Sequence, residues 1–112
     1  MGLLMQVLSK FLSGPAIQRL DQIDMKIDYK DGAVLLPIVV IKHLENTDEI
    51  RHLISEKLET YLGYLNSDQH DKNAKSIVEF KCIKKPDPEI CEFIESFSAN
   101  FSALNSELRW KS

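Results

Sequence analysis

The chain has 112 residues, 44% of them apolar and 28% charged, with a formal net charge of −3. That size and composition fit one globular domain that buries a core without disulfides or a structural metal, and they exclude a disordered, a fibrous or a disulfide-scaffold chain. The acidic balance also speaks against a nucleic-acid binder, which needs a basic stripe on its surface.

At the start of the chain, Leu3, Leu4, Val7, Leu8, Phe11 and Leu12 recur at helical spacing. They predict an N-terminal amphipathic helix. Gly14-Pro15 stops it and opens a second short helix, with Pro15 at its first position and Ile17, Leu20 and Ile23 on its apolar face. Residues 1–23 are therefore read as an amphipathic helical segment ahead of a single domain over 24–112. There is no basic region before the apolar run, and Gln6, Ser9 and Lys10 interrupt it, so it is not a secretory signal. No apolar run is long enough to span a bilayer. The segment has one lysine and one aromatic residue, Phe11, so a membrane-surface role is disfavoured. The expected location is cytoplasmic.

Met25 to Lys30 alternates, and Asp31-Gly32 follows as a hairpin signal. A two-residue loop there pairs Tyr29 with Val34 and Ile27 with Leu36. Met25, Ile27 and Tyr29 then share a face with Val34, Leu36, Ile38 and Val40. Leu35, Val39 and Ile41 make the opposite face apolar too, so the strand needs cover on both sides. Pro37 cannot donate to a ladder and marks an edge or a bulge.

Asn46, as N-cap with Glu49 three residues on, starts a long helix whose stripe is Ile50, Leu53, Ile54, Leu58, Tyr61, Leu62 and Leu65. A strand follows with Val78, Phe80 and Cys82 inward. Asp87-Pro88 begins the last helix, carrying Ile90, Phe93, Ile94, Phe97, Phe101 and Leu104, and Asn105 is placed as a left-handed cap. Leu108 and Trp110 face inward from a final short strand. The expected fold is α+β: a four-stranded, mainly antiparallel sheet with two crossover helices on one face and the N-terminal amphipathic helix.

Several motifs together carry a resemblance: Ile27-Asp28 with Asp31-Gly32, then His52-Leu53, Glu56-Lys57-Leu58, Tyr61-Leu62 and Tyr64-Leu65-Asn66-Ser67. Over residues 24–111 the chain resembles a family of small bacterial proteins of unknown function. In that family Gly tends to follow the Ser, where this chain has Asp68. The resemblance implies the same element order and supplies no activity or catalytic residues.

Candidate chemistry is sparse. No nucleophile elbow, phosphate loop or dinucleotide fingerprint occurs. Cys82 and Cys91 lack metal spacing and read as free thiols. His52 and Glu56 offer two ligands at most, and His70 with Asp71 reads as a solvated loop. Lys57 falls inside the apolar stripe of its helix. Either it snorkels, or it aims its ammonium at a ligand or a partner's carboxylate. Tyr64 flanks the same stripe, and His43 can line a cleft at the end of the second strand. Lys81, Lys84 and Lys85 form the one basic cluster, read as a protected strand edge or an anion or partner site.

The expected function is a small non-enzymatic protein-interaction domain that forms a homodimer or binds another protein, in the manner of a blocking or immunity-type partner. Its expected interface is Leu4, Leu8, Phe11, Leu35, Val39 and Ile41. The alternative is a small-molecule-binding protein or enzyme with a pocket near Lys57, Tyr64 and His43. No cofactor and no metal are expected.

Overall fold

A hairpin opens the sheet, and its turn differs from the expected one. In the structure, a computed structural model that describes residues 15–112, β1 (Ile27–Asp28) pairs antiparallel with β2 (Val34–Val40). Ile27 lies opposite Leu35, and Asp28 opposite Val34. The Tyr29 N–H donates to the Ala33 carbonyl at 2.9 Å, and the Gly32 N–H to the Tyr29 carbonyl at 3.1 Å. Gly32 has φ 89°. This is a three-residue loop, Lys30-Asp31-Gly32, with glycine in the left-handed position. Asp31 favours it by accepting from the Ala33 N–H at 3.0 Å. The register is one residue away from the two-residue-loop expectation, and such a shift reverses the face of every side chain in β1. Met25 and Tyr29, expected inward, are 51% and 47% exposed.

The mainly antiparallel expectation is overturned. After β2 come α1 (Asp48–Leu65), β3 (Ser76–Cys82), α2 (Pro88–Glu95), the short α3 (Ser98–Ser102) and β4 (Ser106–Lys111). The sheet order is β1-β2-β3-β4, with β2, β3 and β4 parallel and β1 alone antiparallel. A helix between strands carries the chain back to the end where the previous strand began, so each crossover produces a parallel pair. The fold is α+β with a mixed sheet.

Both crossover helices cover one face, where the Arg51 guanidinium of α1 lies 4.8 Å from the centre of the Phe93 ring of α2. Val34, Leu36, Ile38 and Val40 meet Val78, Phe80, Leu108 and the stripes Ile54, Leu58, Tyr61, Leu65 and Ile90, Ile94 in the core. Cutting Leu58, which has no exposed surface, to Ala costs about 2–5 kcal/mol. Pro37 sits where its missing N–H would point past the end of β1, away from β3, so the parallel ladder loses nothing.

Three local expectations are corrected. Thr47, not Asn46, caps α1, its Oγ1 accepting from the Ile50 N–H at 3.1 Å. The last helix breaks after Glu95, where the Ser96 hydroxyl donates to the Phe93 carbonyl at 2.5 Å. The second short helix predicted from Pro15 does not form; residues 15–23 run irregularly and put Ile17 into the core. The N-terminal amphipathic helix falls largely on residues 1–14, outside the described residues. Asn105 adopts φ 55°, the left-handed cap expected of it.

Candidate functional site

The predicted site residues go to three different places. Lys57 is fully buried in the side of α1 that meets residues 18–24. Its Nζ donates to the carbonyls of Gln18 (3.0 Å), Arg19 (2.7 Å) and Gln22 (3.1 Å) and lies 2.9 Å from Asp24 Oδ1. Thr60 Oγ1 donates to the Leu20 carbonyl at 2.5 Å, and the Tyr61 hydroxyl accepts from the Asp24 N–H at 3.1 Å. Burial pushes the Tyr61 hydroxyl up to about 12, which keeps it neutral. These groups fasten the irregular segment to α1. The ammonium faces a carboxylate of its own chain.

Tyr64 packs on His70, ring centres 5.6 Å apart. His70, expected in a solvated loop, is buried, and its Nε2 lies 3.1 Å from the Oγ of Ser76 at the start of β3. Ser and His at this spacing suit a nucleophile and its base, but Ser76 has no exposed surface for a substrate to reach. Burial, helped by the nearby Lys26 charge, lowers the His70 pKa.

His43 lies at the end of β2, 2.9 Å from Asp87 Oδ1 through Nε2. The Asn46 N–H donates to Asp87 Oδ2 at 2.8 Å. That bond first, and His43 second, hold the Asp87 carboxyl below its usual range. Asp87 is the N-cap residue of α2, yet its side chain ties the β2–α1 loop to the β3–α2 loop. The loop ends where an open parallel sheet ordinarily binds ligands are thus closed on each other.

The outer face of the sheet lies away from α1 and α2. Its register rows are Leu35, Ile77 and Glu107; then Pro37, Glu79 and Arg109; then Val39, Lys81 and Lys111. Of the predicted interface residues, Leu35 is already buried, Ile41 is half-buried and Val39 is 58% exposed. Leu4, Leu8 and Phe11 lie outside the described residues. Ile83, just past β3, is 67% exposed. Glu79 is buried on this face, with Arg109 Nε at 2.5 Å and the Lys81 and Lys111 amines both at 3.9 Å. A cavity of about 150 Å³ borders the edge of β2, lined by Ile17, Arg19, Met25, Pro37, Val39 and Ile41 among others. The Glu79 network is not legible in the sequence, because Lys81 and Lys111 become neighbours only through strand register.

Cys82 and Cys91 are free and buried, as expected of free thiols. Among the described residues no cluster of three or more His, Cys, Asp or Glu can hold a metal ion. No described helix is long and apolar enough to cross a membrane. No protein-family model matches the chain, and no curated protein or solved structure is significantly similar to it. The likeness of residues 24–111 to a family of small bacterial proteins therefore rests on the quoted motifs alone.

Proposed function

We propose that this chain is a non-enzymatic protein-interaction domain that works through the outer face of its sheet, and that alone it covers that face with a second copy of itself. The observation that carries this reading is that the large apolar side chains Met25, Tyr29, Val39 and Ile83 are each about half exposed or more. Exposed apolar surface of this kind on a small domain marks an association surface. Parallel strands ordinarily have cover on both faces, and the described helices supply it on one. A blocking or immunity-type role would use the same surface. The small-molecule alternative has less support, because Lys57, Tyr64 and His43 each engage a different part of the chain itself.

The test is solution mass by size-exclusion chromatography with light scattering on the full chain, on a chain lacking residues 1–13, and on Val39→Glu. The expected result is a full chain near twice 12.9 kDa and a Val39→Glu variant near 12.9 kDa. The shortened chain reports whether Leu4, Leu8 and Phe11 take part. A full chain that stays monomeric at every concentration overturns self-association.

A further inference from the structure

The outer face divides into two halves of different chemistry. The β1/β2 half presents Met25, Val39 and Ile41 around the cavity of about 150 Å³, whose lining also includes Gln18, Arg19, Asp24 and Lys42. The β3/β4 half carries Lys81, Arg109 and Lys111, and Lys84 and Lys85 lie just past the end of β3. Glu79 and Glu107 offset only part of that charge. Lys84 and Lys85 pair with no carboxylate among the described residues. The opposite, helical layer is acidic: Asp48, Glu49 and Glu59 on α1, and Glu89, Glu92 and Glu95 on α2, are all exposed. In a chain of net charge −3, five of the fourteen Lys and Arg thus stand on or beside this half, next to exposed Val39 and Ile83.

We propose that this face docks an acidic amphipathic helix of another protein. The apolar stripe of that helix lies over Val39, Ile41 and Ile83, one large apolar side chain enters the cavity, and its acidic flank meets Lys81, Lys111, Lys84 and Lys85. The inference rests on the outer face being the working surface, as proposed above, and names the chemistry of a partner that replaces the second copy. A helix fits because the second face of a parallel sheet is normally a helix site. The seven residues of β2 run about 23 Å, a length that about 15 helical residues span. The cavity suits a single buried anchor of the kind that dominates docking energy. A second copy supplies acid from its helical layer, but the apolar stripes of α1 and α2 are already spent in its own core. Docked face to face instead, it offers its own apolar strip but brings the same lysines and no acidic flank, whereas an acidic amphipathic helix answers both.

The experiment uses two designed, fluorescein-labelled helical peptides of about 18 residues, about 27 Å long. Both carry Leu at i, i+3, i+4 and i+7; one has Glu along the flank and the other Lys. Binding to the full chain is followed by fluorescence anisotropy at low and high salt. Acids at 81 and 111 would crowd Glu79, so the first variant is Lys81→Gln with Lys111→Gln. The second is Lys84→Glu with Lys85→Glu, and circular-dichroism melting checks that both fold. The expected result is an affinity for the Glu peptide at least about tenfold above that for the Lys peptide, falling with salt. Each double variant is expected to lose about fivefold or more of the Glu-peptide affinity, and the complex should hold one chain and one peptide. The proposal is overturned if neither peptide binds, if both bind equally, if the preference survives both double variants, or if phosphatidylserine vesicles bind more tightly than the Glu peptide. A chain that dimerises through Val39 and ignores both peptides leaves the self-association reading standing and removes only this one.

Discussion

Lys57 and Asp24 are 33 positions apart in the chain, yet the ammonium of one lies 2.9 Å from the carboxylate of the other. The same ammonium reaches three backbone carbonyls, so four oxygens share three N–H groups. A buried cation is tolerated when it is paired and hydrogen-bonded, and removing it strands its acceptors. Lys57→Met is expected to destabilise the protein by about 3–5 kcal/mol, measured by urea unfolding. Loss of less than about 1 kcal/mol would mean that the segment 18–24 is held by other contacts.

His70 gives a pH dependence of known sign. Its folded pKa lies below the ordinary 6.5, chiefly through burial. Between the folded value and 6.5 the unfolded chain therefore binds more protons than the folded one. Stability rises with pH across that window and falls on acidification below 6.5. Asp87 acts lower down: its depressed carboxyl stabilises the fold above its ordinary 3.8, and that contribution is lost as pH falls through the depressed value. Thermal melts across this range should lose the slope just below neutrality in His70→Asn. An unchanged slope would assign it to another histidine.

The thiols should be inert in the folded state. Burial, with Cys91 nearby, pushes Cys82 up to about 11, and burial raises Cys91 as well. Reaction requires the thiolate, so Ellman's reagent at pH near 8 should label neither thiol quickly in buffer and both in denaturant. Rapid labelling in buffer would show that α2 opens away from β3.

Gly32→Ala tests the hairpin loop. A Cβ there meets no atom within 4 Å, so any cost comes from φ 89° alone. The expected loss is about 1 kcal/mol or a little more, with the outer face otherwise intact. A neutral substitution would mean that the loop relaxes to a different turn.

From β1 onward the alternation of strands and helices was legible from hydrophobic period and breakers, whereas the short helix read from Pro15 does not form and the last helix is split in two. The edge position of Pro37 was legible too; the strand Val34–Val40 is apolar on both faces as read, but Val39 on the outer face is 58% exposed. Strand direction was also present in the alternation of strand, helix, strand, helix, strand, which implies parallel pairs. Register was not legible: Asp31-Gly32 fits a two-residue turn and a three-residue loop equally well, and one hydrogen bond decides between them. Lys57 stood out as a charge inside an apolar stripe. Its acceptors did not, because three of them are backbone carbonyls, which no side-chain pattern records. His70 read as loop because its neighbours Asp68, Gln69 and Asp71 are polar, while the packing that buries it comes from Tyr64 and Ser76.

The hairpin loop also has an evolutionary reading. Deleting one residue from Lys30-Asp31-Gly32 would turn β1 over. Met25, Ile27 and Tyr29 would swing toward the helices, and Lys26, Asp28 and Lys30 would surface on the other side of the sheet. A single codon lost there would replace the apolar side chains at this edge of the outer face with charged ones while every residue of β1 kept its identity, so the surface chemistry of the edge is set by turn length alone.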